Sequence, residues 1–379
     1  MENTSTIVNL TKKYSDKFLD FKGSSVVKKI FDNIVWVFII IGTLTILYIL
    51  YSFTSSFSVS NRIRIMDKEY ANFTNIVDLD THSLSGKEQK FDEIESSKHT
   101  LCDVYIMASA SSYLAGWKVF DSVSNQMVLT SIKYGARYIE IDVFLNKNNE
   151  LVVGYGIKDG QWILTLNEID FDKFCKTLGD KMFNKDYFIN SRDPIILYLN
   201  LQTPKNTMDK IYQYLNQNFH SHLLSSEYNL NGNKNVLDLP LEKLMNKLII
   251  ICQGKISGTD MMKIVNLRLG DRVKRITYDE MMLMDEKDSI DFNKTNLTIV
   301  EQNFSIKSLN ANPAPAFDKG CQIIAMNFQK ADTFMIEYLT MFYGKSFQLK
   351  PFEFTKFIDN KVSGYDQNKI AFYKNQDEY

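Results

Sequence analysis

The sequence predicts an α/β fold built on parallel strands and tethered by one membrane-spanning helix. Two observations carry this. From residue 101 onward, short apolar runs alternate with segments of helical periodicity, the pattern of repeated strand–helix units. Ahead of them, residues 34–53 form an uncharged apolar run. About 20 such residues cross the hydrocarbon core of a bilayer. Trp36 lies near one end of the run, Tyr48 and Tyr51 near the other, where interfacial aromatics belong. A buried core helix rarely lacks a polar face, and the run is too long and starts too late for a cleaved signal peptide.

Residues 1–33 form a polar, weakly basic arm, and residues 54–100 a polar stalk. Lys17, Lys22, Lys28 and Lys29 precede the span, and Arg62, Arg64 and Lys68 follow it. This bias predicts a cytoplasmic N-terminus and an exoplasmic or lumenal domain. The sequons at Asn72, Asn293, Asn296 and Asn303 would then be open to glycosylation. A net charge of −1 over 379 residues gives no general case for nucleic-acid binding. Cys102, Cys175, Cys252 and Cys321 show no C-x-x-C spacing, which argues against a zinc site, and residues so scattered behave as small buried apolar groups.

The regular part opens with the strand D-V-Y-I-M-A-S. Helical spacing follows at Val119, Val123, Met127, Val128 and Ile132. Tyr134–Phe144 then reads Y-G-A-R-Y-I-E-I-D-V-F, with Gly135 marking a helix end. Successive strand side chains face opposite ways, so Glu140 and Asp142 share one face. Two carboxylates there require water, a cation or hydrogen-bond donors. A solvated strand face is the plainer reading, and a salt bridge to Arg137 or a neighbouring Lys is another. Further on come the strand E-L-V-V-G-Y, a helical region near 166–182, the strand I-I-L-Y-L-N-L, an amphipathic helix over 208–219 and the buried strand L-I-I-I-C.

The Tyr134–Phe144 stretch resembles the G-x-R-x-x-E-x-D strand of eukaryotic-type phosphoinositide-specific phospholipases C. Asn312-Pro313, then Gly320-Cys321-Gln322 through Asn327-Phe328-Gln329, resemble that family's N-x-P and G-C-Q-x-x-A-x-N-x-Q. Phe347-Gln348-Leu349-Lys350-Pro351 is similar to its Y-V-L-K-P. The resemblance implies a TIM-type (β/α) barrel with an X-like half at 101–255, a linker at 256–298, a Y-like half at 299–352 and a polar tail at 353–379. It also implies calcium-dependent phosphoric diester hydrolysis of phosphoinositides.

Through the same resemblance, most reacting groups are replaced. Ala110, within Ser109-Ala110-Ser111-Ser112-Tyr113-Leu114, stands where the family has a catalytic histidine. Tyr155, before Gly156, stands for a second histidine. Glu140 and Asp142 match two calcium ligands, and Glu140 also matches a residue that could take the substrate hydroxyl's proton. Ser111 stands for an Asn ligand and Asn200 for a Glu ligand, so calcium binding is expected to be weak or absent. Ile251 and Gln253, with Lys255 nearby, occupy the positions of headgroup lysines. Thr298-Ile299-Val300 is placed at an R-x-Y that binds phosphate and inositol. The expected function is that of a membrane-anchored, catalytically inactive phospholipase C-like protein acting in lipid or partner binding. The alternatives are an active calcium-dependent phosphodiesterase and a structural surface or envelope ectodomain.

Overall fold

The computed structural model describes residues 12, 34, 36–49, 58–73, 98–157 and 163–356. The chain divides into two units, Met1–Ser58 and Val59–Tyr379. In the first, residues 36–49 are helical, with Trp36, Phe38 and Tyr48 exposed. Among the described residues no helix is long and apolar enough to cross a membrane. The expected span at 34–53, the arm at 1–33 and the tail at 353–379 fall partly or wholly outside the described residues.

The second unit is an α/β barrel. Its strands are β1 (Val104–Ser109), β2 (Tyr138–Leu145), β3 (Leu151–Val153), β4 (Ile169–Asp170), β5 (Ile195–Leu201), β6 (Leu248–Gln253), β7 (Leu267–Arg268), β8 (Val273–Thr277), β9 (Leu297–Glu301), β10 (Ile323–Met326) and β11 (Phe347–Leu349). Eight of them run in the order β7-β6-β5-β2-β1-β10-β9-β8, each parallel to its neighbour. A parallel bridge from Leu269 to Val273 joins the two end strands and nearly closes the ring. β3 and β4 form an antiparallel extension of β2, and β11 pairs antiparallel with β1. β3, and the Tyr155 that follows it, are therefore on a hairpin and not on a barrel strand. β7 and β8 fall within residues 256–298, so the stretch expected as a linker supplies two of the ring's strands.

Alternation along each strand sorts the side chains into two cores. Ile139, Ile141, Leu197, Leu199, Leu248 and Ile250 point outward to the helices. Ile106, Ala108, Ala110, Tyr138, Ile196, Tyr198, Ile249, Ile251, Ile299 and Ala325 fill the barrel interior. Parallel strands covered on both faces read as nearly continuous apolar runs, and β5 and β6 do so. The helices α1 (Val59–Glu69), α2 (Asn125–Lys133), α3 (Phe171–Lys181) and α4 (Met208–Phe219) follow ordinary rules. α2 starts at Ser124, whose hydroxyl accepts from the Gln126 amide, and Gly135 just beyond it has φ +99°. α4 buries Met208, Ile211, Leu215 and Phe219, one stripe at helical spacing. α1, inside the expected stalk, buries Met66, followed by buried Tyr70, whose hydroxyl donates to the Phe328 carbonyl at 2.8 Å.

The floor, at the strands' N-terminal ends, holds the residues that carried the second half of the resemblance. Gln322 Nε2 donates to the carbonyls of Asn293 (2.7 Å) and Asn296 (2.8 Å), and its Oε1 accepts from the Thr298 amide (3.0 Å). The ammonium of Lys350 is buried and donates to the Asn293 carbonyl at 3.1 Å. Asn293 is fully buried, so a glycan on that sequon is incompatible with the fold. The four cysteines are free thiols, all buried.

Candidate active site

The mouth lies at the strands' C-terminal ends, where barrels of this class carry their chemistry. β2 delivers Glu140 and Asp142 there on the same inward face, both buried. Register places Asn200 of β5 beside Asp142, and Gln253 of β6 beside Asn200. β8 and β9 add Arg275 and Glu301.

Arg275 organises this layer. Its Nη2 lies 2.6 Å from Glu140 Oε1 and 2.5 Å from Glu301 Oε2, and its guanidinium sits 5.0 Å from the centre of the Tyr198 ring. The Tyr198 ring also stacks on Tyr138, and its hydroxyl donates to Gln253 Oε1 at 2.5 Å. Asp142 is engaged on both oxygens: Oδ2 accepts from the Tyr113 hydroxyl and Oδ1 from Asn200 Nδ2 at 2.5 Å. Asn200 turns its own oxygen to Gln202 Nε2 at 2.7 Å. Burial, then the charge of Glu140, pushes the Asp142 carboxyl up to about 6, against the donors and Arg275. Burial opposes the charge of Arg275, but Glu140, the tyrosines and Glu301 outweigh it and hold the guanidinium more firmly charged than usual. Burial raises Glu301 and lowers Lys118, whose ammonium lies 5.8 Å from the Tyr155 ring centre and 5.7 Å from that of Phe304.

The positions expected to handle protons do not. Ala110 is buried, its amide donating to the Met326 carbonyl at 2.8 Å, and a methyl group exchanges no proton. Tyr155 is partly buried, and burial pushes its phenol up to about 12, far from neutrality. No described histidine substitutes for them. His99 precedes β1 at the floor, and His222 stacks on Phe183, with its Nδ1 3.0 Å from the Asn246 carbonyl. His220 shares that floor-side turn after α4.

Two expectations need correction. The partner of Glu140 is Arg275, whereas Arg137 is buried elsewhere, donating to the Asn190 carbonyl at 2.7 Å and standing 3.7 Å from Asp193. Thr298 lies near the start of β9, buried, its hydroxyl donating to Asn293 Oδ1 at 2.6 Å, whereas the strand reaches the mouth at Glu301. Gln253 and Lys255 are exposed at the rim. Ser111, with φ +38°, is buried. Among the described residues no group of three or more His, Cys, Asp or Glu side chains is arranged to hold a metal ion. Calcium takes six to eight oxygens. Here the oxygens of Asp142 and one of Glu140 face donors, and Asn200 presents its nitrogen, so the donor set does not fit calcium.

The chain matches Phosphatidylinositol-specific phospholipase C, X domain, over residues 97–254, and Phosphatidylinositol-specific phospholipase C, Y domain, over residues 271–352. The chain belongs to the phosphatidylinositol-specific phospholipase C family. Among solved structures it is similar to S. officinalis PLC21, with 21% identity and TM-score 0.57 over 67% of this chain and 37% of that one. It is also similar to L. pealei PLC21, with 19% identity and TM-score 0.58 over 73% and 38%. The chain thus spans less than two-fifths of either relative, and the likeness is one of fold. A calcium-dependent phosphoinositol-specific phospholipase C from Pseudomonas sp aligns at TM-score 0.39. No curated protein matches the chain.

Sequence reasoning missed Arg275, Glu301, Lys118 and Tyr113. The last sat inside a quoted motif and differs from a core tyrosine only through its partner. Glu301 carried a signal: it ends the alternating run L-T-I-V-E as a carboxylate at a strand's C-terminal end.

Proposed function

We propose that this chain is a catalytically silent phospholipase C-like protein that uses the barrel to bind a phosphoinositide-bearing membrane. The observation that carries the reading is that no described histidine lies at the mouth, where the resemblance sets Ala110 and Tyr155 against the family's two histidines. General acid–base groups contribute roughly 10²–10⁴-fold each, so losing two removes most of the rate enhancement. Lipid binding is supported by family membership and by exposed apolar side chains on the loops around the mouth: Trp117, Phe120, Phe304 and Ile306. An anchor at residues 34–53, with the N-terminus cytoplasmic and the barrel exoplasmic or lumenal, belongs to the same reading and rests on hydropathy and flanking charge.

The test uses the full chain on mixed phosphatidylcholine and phosphatidylinositol vesicles with and without calcium. Sedimentation with the vesicles and no release of inositol phosphate are expected. Release above buffer that Glu140→Gln abolishes would favour an active phosphodiesterase instead. Neither release nor sedimentation would leave a structural ectodomain.

A further inference from the structure

We propose that Arg275 takes the place of a bound divalent cation: the chain supplies its own counter-charge to Glu140 and Glu301 and binds no calcium at the mouth. This concerns the cation alone and stands whether or not any lipid is hydrolysed. Two buried or half-buried carboxylates facing one another demand a cation. Nη2 of Arg275 answers both, at 2.6 Å from Glu140 and 2.5 Å from Glu301. Both are short, charge-assisted contacts.

The guanidinium is held from a third side by the Tyr198 ring, 5.0 Å away. Its position is fixed by strand register and not by a flexible loop: Arg275 lies within β8, paired with Ile299 of β9. The oxygens of Asp142 and Asn200 are also committed. Both of Asp142 accept from Tyr113 and Asn200, and the Asn200 oxygen accepts from Gln202. An ion entering here would have to displace a covalently attached cation and break these donors away.

The arrangement makes a prediction that a vacant or eroded metal seat would not. Removing the guanidinium should leave Glu140, Asp142 and Glu301, three carboxylates from β2 and β9, free to turn toward one cation. Affinity for calcium rises with ligand charge.

Calcium chloride is titrated calorimetrically into the full-length chain, into Arg275→Ser, and into Arg275→Ser with Glu140→Gln; melting temperature is read on each with and without calcium. The wild type should show no saturable heat up to millimolar calcium and no calcium-dependent shift in melting. Arg275→Ser should bind one calcium at least tenfold more tightly than the wild type and melt higher with it, and adding Glu140→Gln should abolish both effects. Arg275→Gln, which is shorter and uncharged but keeps a hydrogen-bond donor, replaces the serine variant if that one does not melt cooperatively. The proposal is overturned if the wild type binds calcium and Glu140→Gln removes that binding, or if a cooperatively melting Arg275 variant gains none.

Discussion

The floor and the mouth of this barrel are built from the same strands, yet they have kept different things. At the floor, the residues that carry the family resemblance are each tied to buried backbone. Gln322 serves four backbone groups at once, and Lys350 caps the Asn293 carbonyl. At the mouth, Ala110 and Tyr155 stand where the resemblance calls for histidines, and Glu140 and Asp142 have protein partners. A floor side chain cannot change without orphaning buried polar groups, which costs free energy in any chain that folds. At the mouth the partners are other side chains: Arg275 balances Glu140 and Glu301, and Tyr113 and Asn200 hold Asp142.

That contrast breaks or sharpens in measurable ways. The largest effect is expected from the frame. Arg137→Met leaves Asp193 buried without its guanidinium and removes a donor from the Asn190 carbonyl; it should cost about 3–5 kcal/mol in urea denaturation. Gln322→Leu takes the partner from the Thr298 amide and a donor from the carbonyls of Cys102, Asn293 and Asn296, of which Asn293 keeps Lys350, and should cost about 2–3 kcal/mol. A loss below about 1 kcal/mol in either case would erase the distinction between floor and mouth.

Lys350 offers a pH signature of the floor. Burial depresses its ammonium to about 7, whereas an unfolded lysine titrates near ~10.4. Above about 7 the unfolded chain holds a proton that the folded chain has released, so folding stability rises with pH by up to about 1.4 kcal/mol per unit. Cys102 and Cys321, pushed up to about 12 and about 11 by burial, act in the opposite sense only where unfolded thiols ionise, near ~8.5. Denaturation midpoints between about pH 7 and 8.5 should climb more steeply for the wild type than for Lys350→Met; equal slopes would refute the assignment. The smallest effect belongs to the mouth's edge. Tyr155→Phe, at a partly exposed hairpin position, should change stability by no more than about 0.5 kcal/mol.

Much of this was legible in the sequence because it is local. The helix at 208–219 was readable because its apolar stripe and its ends are set by adjacent residues. The inward pair Glu140 and Asp142 followed from strand alternation alone. The ion-pair partner of Glu140 did not, because it lies 135 residues away. V-K-R-I-T at β8 mixes charge with apolar residues, as a surface segment would, so residues 256–298 read as a linker. In a barrel, inward positions near the mouth are polar, and their pattern imitates a solvated strand. The misplacement of Thr298 has a similar origin: it is buried near the start of a strand whose end is Glu301, and only the register shows that.

The claim that Glu140 has passed from chemistry to structure is tested most directly by a double-mutant cycle with Arg275 in calcium-free urea denaturation. Glu140→Gln and Arg275→Met should each destabilise, and the double variant should lose about 1–3 kcal/mol less than the sum of the two. Strictly additive losses would mean that the two side chains do not depend on each other, contradicting the account.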